Sequence, residues 1–277
     1  MTKIATELAE RNRDYYVVKS NELIQKARYN LTVQQQKLVL FAISRIKKND
    51  DPRKYYTIPL KELCEACGFK LDKGGSYYMR LKEDFKKLKA PIGWVPMEDD
   101  YEWLVSWFDD VGLNKGIGTV KIRFHERIWP YLFNLQEKYT QYQLREVLVF
   151  KNKYAIRLFE ILRSYYRQDE LDQGIEKEIE IPLAHLRNQL NTDSYPDWRD
   201  FNKSVIKVAV DEINTYAEQI NVTYTTKKEG HSIVSILFKV TAPPLGEKYI
   251  RYKNMKNIFP EEKKTRKKER QEPGLPW

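Results

Sequence analysis

A short hydrophobic pattern around a proline occurs twice in the chain, each time between the same kinds of predicted element. Residues 58–63 read IPLKEL and residues 181–186 read IPLAHL. In both places the proline follows a strand-like run and opens a short helix, which suits a residue with a fixed φ and no amide hydrogen. Gly68 ends the first helix and Asn191 ends the second, because both residues tolerate a left-handed backbone. The chain is therefore expected to contain an internal structural repeat.

The predicted elements around this pattern also repeat in the same order. A helix begins at Thr32, which can form a capping box with Gln35, and a matching helix covers residues 153–166. Each half then has a longer amphipathic helix, at 77–89 and at 196–220, followed by a hairpin. The predicted hairpin strands are 103–108 with 119–124, and 221–225 with 232–240. Helix, strand, helix, helix, hairpin is the element order of a winged helix.

The predicted fold class is α+β, with two tandem winged-helix domains at residues 1–140 and 141–246 and a basic, flexible tail at 247–277. Lys and Arg outnumber Asp and Glu by 25 to 19 in the first domain and by 10 to 5 in the tail. The net charge of +10 favours a polyanionic partner, although basic charge is also common among other soluble proteins. The tail is expected either to add sequence-independent phosphate affinity or to keep the protein soluble.

The helix predicted at 196–220 has one wide apolar side and one polar strip. When the apolar side is buried, the polar strip faces the solvent. A DNA-reading helix needs this arrangement, and an ordinary amphipathic surface helix shows it too. The candidate DNA-binding residues of the second domain lie on this helix and in the predicted wing turn at 227–230: Arg199, Lys203, Ser204, Lys207, Lys227, Lys228 and His231. The parallel candidates on the helix at 77–89 are Arg80, Lys82, Lys86 and Lys87. For any single lysine, a solvated surface charge is the alternative.

Composition excludes the disordered and membrane-spanning classes. With 42% hydrophobic and 13% aromatic residues, the chain can bury substantial cores. No apolar run approaches the roughly 20 residues that span a bilayer, and the amino terminus lacks the apolar core of a signal peptide. A cytoplasmic protein without a membrane partner is expected.

Motifs for catalysis or metal binding are missing from the sequence. Cys64 and Cys67 have the C-x-x-C spacing of zinc or redox sites, but zinc needs about four ligands and no second pair exists. Both are expected to be core thiols. The 3 histidines lie far apart, unlike the metal-binding histidines of rolling-circle initiators, and no G-x-x-x-x-G-K-[ST] phosphate loop occurs. We expect no enzymatic activity, no metal and no cofactor.

Three segments resemble the Rep-type replication initiators of bacterial plasmids, a family of iteron-binding proteins with two winged-helix domains. They are LTVQQQKLVLFAISRI at 31–46, FHERIWPYLFNLQEKYTQYQL at 124–144 and KYAIRLFEILRSYY at 153–166. The third segment is the most specific, since it reproduces the family's Tyr–Arg–Leu–aromatic–Leu run with Tyr154, Arg157, Leu158, Phe159 and Leu162. Phe159 stands where the family usually has tyrosine. The resemblance covers roughly residues 15–242.

This resemblance implies a protein that binds double-stranded DNA at plasmid origin repeats, helps to open the duplex and recruits the host replication initiator and helicase. Many relatives repress their own promoter as dimers and act at the origin as monomers. Dimerisation is expected through the first domain, around Trp94, Trp103 and Trp107, whose strands offer an edge and aromatic surface. A winged-helix transcriptional repressor with no replication role is the main alternative. A structural protein that uses winged helices for protein contacts is a third.

Overall fold

A computed structural model describes residues 15–69, 76–90, 93–96 and 102–258 of the chain. The first half contains helices α1 to α4 and strands β1 to β7. In chain order these elements are β1 Tyr16–Ser20, α1 Asn21–Lys26, α2 Val33–Ile43, β2 Tyr56–Pro59, α3 Leu60–Cys67, α4 Ser76–Lys89, β3 Gly93–Pro96, β4 Glu102–Val105, β5 Phe108–Asn114, β6 Thr119–Phe124 and β7 Tyr139–Gln143. A 3-10 turn, Glu126–Tyr131, connects β6 to β7.

The second half begins with α5 Arg145–Leu148, α6 Lys153–Arg163 and α7 Gln168–Asp172. Helix α9 is continuous through an α-helical turn, a π-helical segment and a second α-helical stretch. The elements that follow α7 are β8 Lys177–Pro182, α8 Leu183–Leu190, α9 (Trp198–Phe201, Asn202–Lys207 and Val208–Tyr216), β9 Asn221–Glu229, β10 Ser232–Thr241 and α10 Leu245–Ile258.

Two three-stranded antiparallel sheets show the repeat directly. The strand order is β2-β6-β5 in the first half and β8-β10-β9 in the second, so the strand before the short helix pairs in each case with the second strand of the wing. Both sheets follow a three-helix set, α2-α3-α4 and α6-α8-α9. The prediction of two tandem winged helices is confirmed. The first copy differs by a β3–β4 hairpin inserted between its last helix and its wing.

The local signals that began and ended these helices are present in the structure. Thr32 and Gln35 form the expected reciprocal capping box at the start of α2. Pro59 and Pro182 precede α3 and α8 as N-cap residues, one position earlier than a first-turn proline would lie. Gly68 (φ 73°) and Asn191 (φ 50°) end the same helices in the left-handed conformation.

Helix α6 lies at the centre of the molecule and packs against α2 of the first winged helix and α9 of the second. Its residues 154–163 are all buried, including the motif residues that are charged. Glu160 accepts hydrogen bonds from Lys19 on β1 (2.8 Å) and from Tyr142 on β7 (2.7 Å). Strands β1 and β7 pair from Tyr16 opposite Gln143 to Ser20 opposite Tyr139. The domain bounds remain a prediction, and the 140/141 division falls inside β7.

The bounds of two predicted segments differ from the structure. Helix α9 starts at Trp198 and ends at Tyr216 instead of covering 196–220, because Asp197 caps its first amides and Ala217 is extended. The segment expected to be a flexible tail from 247 onward begins inside α10, Leu245–Ile258. Arg251 holds α10 in place by donating to the carbonyl groups of Ala217 and Ile220 at 2.7 and 3.0 Å. The basic run 263–270 lies outside the described residues.

The aromatic surface expected for dimerisation is also changed. Trp107 is completely buried, which removes it from any pairing surface, and its ring packs edge-on against Tyr29 at 5.5 Å. Trp103 is half-buried beneath the Arg127 guanidinium, and the side chain of Trp94 lies outside the described residues. Among the helices that the structure describes, none has the length and hydropathy that crossing a bilayer requires.

Candidate nucleic-acid interface

The start of α9 is fixed by a local cap and by aromatic packing. Asp197 accepts hydrogen bonds from the backbone amides of Arg199 (2.7 Å) and Asp200 (3.4 Å). Phe201 is buried one turn later, and the Arg187 guanidinium of α8 lies 4.5 Å from the centre of its ring. This anchoring directs Arg199 outward, where it is exposed.

The middle of α9 is a π-helical segment, Asn202–Lys207, and it contains three of the predicted DNA-binding residues. In an α-helix a residue four positions along falls about 40° beyond its predecessor. Lys203 and Lys207 are four positions apart and so lie on the same side of the helix. Both lysines are exposed and Ser204 is half-buried, while Val205 and Ile206 face the core. The predicted division between a buried and a cationic side is therefore present.

The wing contacts the start of the π segment. The Tyr224 hydroxyl on β9 donates a hydrogen bond to the side-chain oxygen of Asn202 at 2.7 Å. The Tyr224 ring packs against Phe238 on β10, with 6.1 Å between ring centres. The hairpin thus fixes one side of α9 where its backbone leaves α-helical geometry.

The wing turn is shorter than the predicted turn at 227–230. Strand β9 extends to Glu229 and β10 begins at Ser232, which leaves Gly230 (φ 59°) and His231 at the tip. Lys227 is therefore a strand residue, and its ammonium lies 3.0 Å from the Glu180 carboxylate on β8. Hydrogen bonds from Ser235 and Lys227 lower the pKa of Glu180. Lys228 and His231 are exposed near the tip, so the wing presents these two side chains more freely than Lys227.

The four cations predicted on α4 are all exposed, but they do not form one row. Leu81, Phe85 and Leu88 are buried and define the inner side of the helix. At about 100° per residue, Lys82 and Lys86 lie on one flank of the outer side, whereas Arg80 and Lys87 lie on the other. Exposed Glu83 lies between the two flanks. Each flank can contact one edge of a phosphate-lined groove while the acidic centre faces the bases.

The first wing adds a cation that the sequence analysis overlooked. Lys115 is exposed in the turn between β5 and β6, and its ammonium lies 5.8 Å from the centre of the Tyr78 ring on α4. The tip of the first wing therefore lies beside its recognition helix. The sequence signal for Lys115 is its place between the two predicted hairpin strands, which matches the place of Lys228 in the second wing.

The two cysteines are core residues. Cys64 and Cys67 are free and buried, as expected for core thiols, and burial raises the pKa of Cys64 to about 12. Such a thiol stays protonated at neutral pH and is a poor metal ligand or nucleophile. The described part of the chain contains no group of three or more His, Cys, Asp or Glu side chains that could hold a metal ion.

Comparisons with known proteins agree with this geometry. The family described as "Initiator Replication protein, WH1" matches residues 16–163, and "Initiator Rep protein, WH2" matches residues 182–240. A replication initiation protein from Escherichia coli is 26% identical over 228 residues, which cover 81% of this chain and 69% of that protein. The crystal structure of the Pi initiator protein in complex with iteron DNA aligns with a TM-score of 0.66 at 19% identity, covering 83% of this chain and 98% of that one.

The first family match alone spans more than half of the chain and runs through α6, and the second extends from the end of β8 into β10 of the second winged helix. The buried motif in α6, the repeated sheet order and the paired cationic helices lead to the same family. The chain belongs to the Rep-type replication initiator proteins.

Proposed function

We propose that this protein initiates plasmid replication by binding repeated origin sites, of the iteron kind, through both of its winged helices. The observation that carries the proposal is the duplicated topology, in which α4 and α9 occupy equivalent positions and both expose cations. The Pi initiator, which shares the fold, was crystallised with iteron DNA. On this proposal the protein acts by binding, without a catalytic step of its own.

The second winged helix is proposed as the main reader of sequence. Its helix α9 would enter the major groove, where Arg199 can place a planar pair of donors against guanine and Lys203 can contact a base or phosphate. Ser204 and Lys207 lie beside them along the π segment. Lys228 and His231 would contact the backbone or the adjacent minor groove from the wing. Lys227 takes a secondary place, since Glu180 neutralises part of its charge.

The first winged helix is proposed to add the parallel contacts from α4 and its wing. Its two cationic flanks, Arg80 with Lys87 and Lys82 with Lys86, suit the phosphates on the two sides of a groove. Lys115 would extend this surface at the wing tip. Origin opening, contacts with the host initiator and helicase, self-association and repression of the protein's own promoter also belong to the proposal, as the family resemblance implies.

A nuclease footprint on the DNA that flanks the gene, at near-physiological salt, tests the proposal. Regularly spaced protection over direct repeats, in phase with the double helix, supports replication initiation. Protection of a single inverted repeat over the promoter supports a repressor instead. Complete lack of protection overturns the assignment of α4 and α9 as DNA-binding helices.

A further inference from the structure

The last turn of α1 and the loop that follows it make contacts that the DNA-binding surface does not explain. We call this segment, residues 24–31, the strap. The strap lies against helix α6, which packs between the two winged helices, and against α8 of the second winged helix. The strap therefore joins the two DNA-binding units through side-chain contacts as well as through the continuous chain.

Arg157 of α6 is the deepest of these contacts. Its guanidinium donates to the carbonyl groups of Ile24 (3.0 Å) and Ala27 (3.3 Å) and to the Tyr29 hydroxyl (2.8 Å). The guanidinium carbon also lies 4.4 Å from the centre of the Tyr29 ring, and Arg157 is only 3% exposed. The arginine of the family-like run thus holds the backbone of the strap, and it is too buried to contact DNA.

A second set of contacts reaches the turn between α8 and α9. Gln189, in the last turn of α8, is buried and donates to the carbonyl of Gln25 at 2.6 Å. Arg28 donates through Nε to the Asn191 side chain at 3.0 Å and also pairs with Asp193. Asn191 ends α8 in the left-handed conformation, so this turn sets the direction in which α9 begins. The strap therefore contacts the residues that orient the second recognition helix.

The same strap leads directly into the first winged helix. Lys153 at the start of α6 donates to the Asn30 side chain at 2.9 Å. Gln36 of α2 in turn donates to the carbonyl of Lys153 at 3.2 Å. The strap is thus bound to α6 along its length and to the end of α8, which opposes rotation of one DNA-binding unit relative to the other.

We propose that the strap fixes the separation and relative rotation of α4 and α9, so that the protein accepts only DNA whose two contacted segments lie at one spacing. Arg28 and Gln189 are the positioning residues, because they act through protein contacts on the turn before α9. The inference rests on the proposed function, in which both helices contact one DNA molecule. It adds a property, spacing selectivity, that the helix faces alone do not supply.

DNA geometry makes this property measurable. One helical turn is about 10–10.5 base pairs and 34–36 Å long. An inserted base pair therefore moves one contacted segment by about 3.4 Å and rotates it by roughly 35° relative to the other. A rigidly joined pair of helices cannot follow this change, whereas a loosely joined pair can.

The test uses the R28A/Q189M double variant and duplexes that carry none, one or two base pairs inserted between the two footprinted segments. The unaltered protein is expected to lose about tenfold or more in affinity per inserted pair. The double variant should bind the uninserted site more weakly but lose less than about threefold on insertion. Arg28→Lys, used in place of Arg28→Ala, keeps the positive charge and should retain part of the spacing selectivity. An insertion profile identical to that of the unaltered protein overturns the proposal.

Arg167→Ala is the matched control, since Arg167 also forms an exposed pair with an aspartate, Asp169, but lies outside the strap. Its insertion profile should equal that of the unaltered protein.

A second measurement needs no DNA. Spin labels at the exposed positions Thr57 on β2 and Thr223 on β9, introduced as cysteines, report the distance between the two units. R28A/Q189M should broaden a distribution that is narrow in the otherwise unaltered protein. An equally narrow distribution overturns the strap's role. If the footprint fails but the distribution broadens, the proposed function is wrong while the joining role of the strap stands.

Discussion

Single cations of the second winged helix differ in how much of their charge is available to DNA. Lys203 is exposed and has no charged partner among the residues described, whereas the ammonium of Lys227 lies 3.0 Å from Glu180. An exposed pair of this kind adds little stability, but it reduces the charge offered to a phosphate. The two lysines looked equivalent in the sequence because the partner of Lys227 is 47 positions away.

We therefore expect Lys203→Ala to weaken binding to the footprinted repeat by about 1–3 kcal/mol, with Arg199→Ala in the same range. Lys227→Ala should cost less, since its ammonium is already occupied. Fluorescence anisotropy with the repeat and with a scrambled duplex, each over a range of salt, measures both effects. A larger loss for Lys227→Ala than for Lys203→Ala would reverse the assignment of roles on α9 and the wing.

Two buried glutamates have side-chain pKa values that are shifted in opposite directions. Burial and the nearby Glu218 carboxylate raise the pKa of Glu146 from 4.5 to about 7. Burial alone would also raise the pKa of Glu160, but Lys19 and Arg157 hold it below its ordinary value. Glu146 accepts a hydrogen bond from the backbone amide of Glu218 at 2.8 Å, next to the end of α9.

Glu146→Gln should stabilise the protein at pH 8. As pH rises from about 4.5 to about 7, the unfolded chain releases a proton that folded Glu146 keeps, so the free energy of unfolding falls over this window. The substitution removes that loss, with a gain of up to about 3 kcal/mol above pH 7 and none at pH 4. Urea unfolding at both pH values measures the difference.

Glu160→Gln is the control for that experiment, and it should lower the free energy of unfolding at pH 8. Its lowered pKa means that the ionised carboxylate contributes stability above the ordinary pKa, and that this stability is lost as pH falls through the lowered value. Substitution leaves Lys19 buried and unpaired, which should cost about 3–5 kcal/mol at pH 8. Equal effects of the two substitutions would contradict the different settings of these carboxylates.

At the scale of helices and strands, the signals that act within a few residues were predictable. The Thr32 box, the prolines before α3 and α8 and the left-handed Gly68 and Asn191 each depend on neighbours three or four positions away. The length of the second wing was not predictable in this way, because β9 extends by pairing with β10 and β10 pairs with β8. The π segment of α9 was not predictable from local signals either, since its contact with Tyr224 joins residues that are distant in the sequence.

Tyr224→Phe tests whether the wing fixes the π segment. The change removes the hydrogen bond to Asn202 and keeps the ring packed on Phe238, so we expect a stability loss of only about 1 kcal/mol. The affinity for the repeat should fall more than the affinity for scrambled DNA. Tyr56→Phe, which removes a 2.9 Å hydrogen bond to Asp50 in the first domain, serves as control. Equal losses on both duplexes would assign Tyr224 to stability alone.

Part of the segment predicted as a tail, residues 247–277, belongs to α10, so the two parts of this segment have different expected roles. Truncation after Ile258 keeps the contacts of Arg251 and removes the basic run at 263–270, so nonspecific affinity and its salt dependence should decrease while site preference stays. Truncation after Gly246 also removes Arg251 and should lower the melting temperature by several degrees. Salt titrations and thermal unfolding of both variants distinguish the two parts. Loss of site preference in the longer variant would contradict this division.

For the molecule as a whole, the two cationic faces were predictable because helical periodicity separates Lys203 and Lys207 from buried Val205 and Ile206. Their joint arrangement was not, since it depends on α6 packing between the domains and on the strap. The role of Arg157 illustrates the difference. Its place in the motif was visible in the sequence, but its carbonyl partners lie 130 and 133 residues earlier in the chain.

The ion pair between Lys19 and Glu160 constrains the order in which the chain can fold during its synthesis. The two residues are 141 positions apart, and β1 has no partner until β7 has been synthesised. At translation rates of about 5–20 residues per second, Lys19 leaves the peptidyl-transferase centre about 7–28 seconds before its counter-ion exists. The interior around Lys19 is therefore completed only after α6 has been synthesised, and a nascent chain arrested before residue 160 lacks the carboxylate that pairs with this ammonium when it is buried.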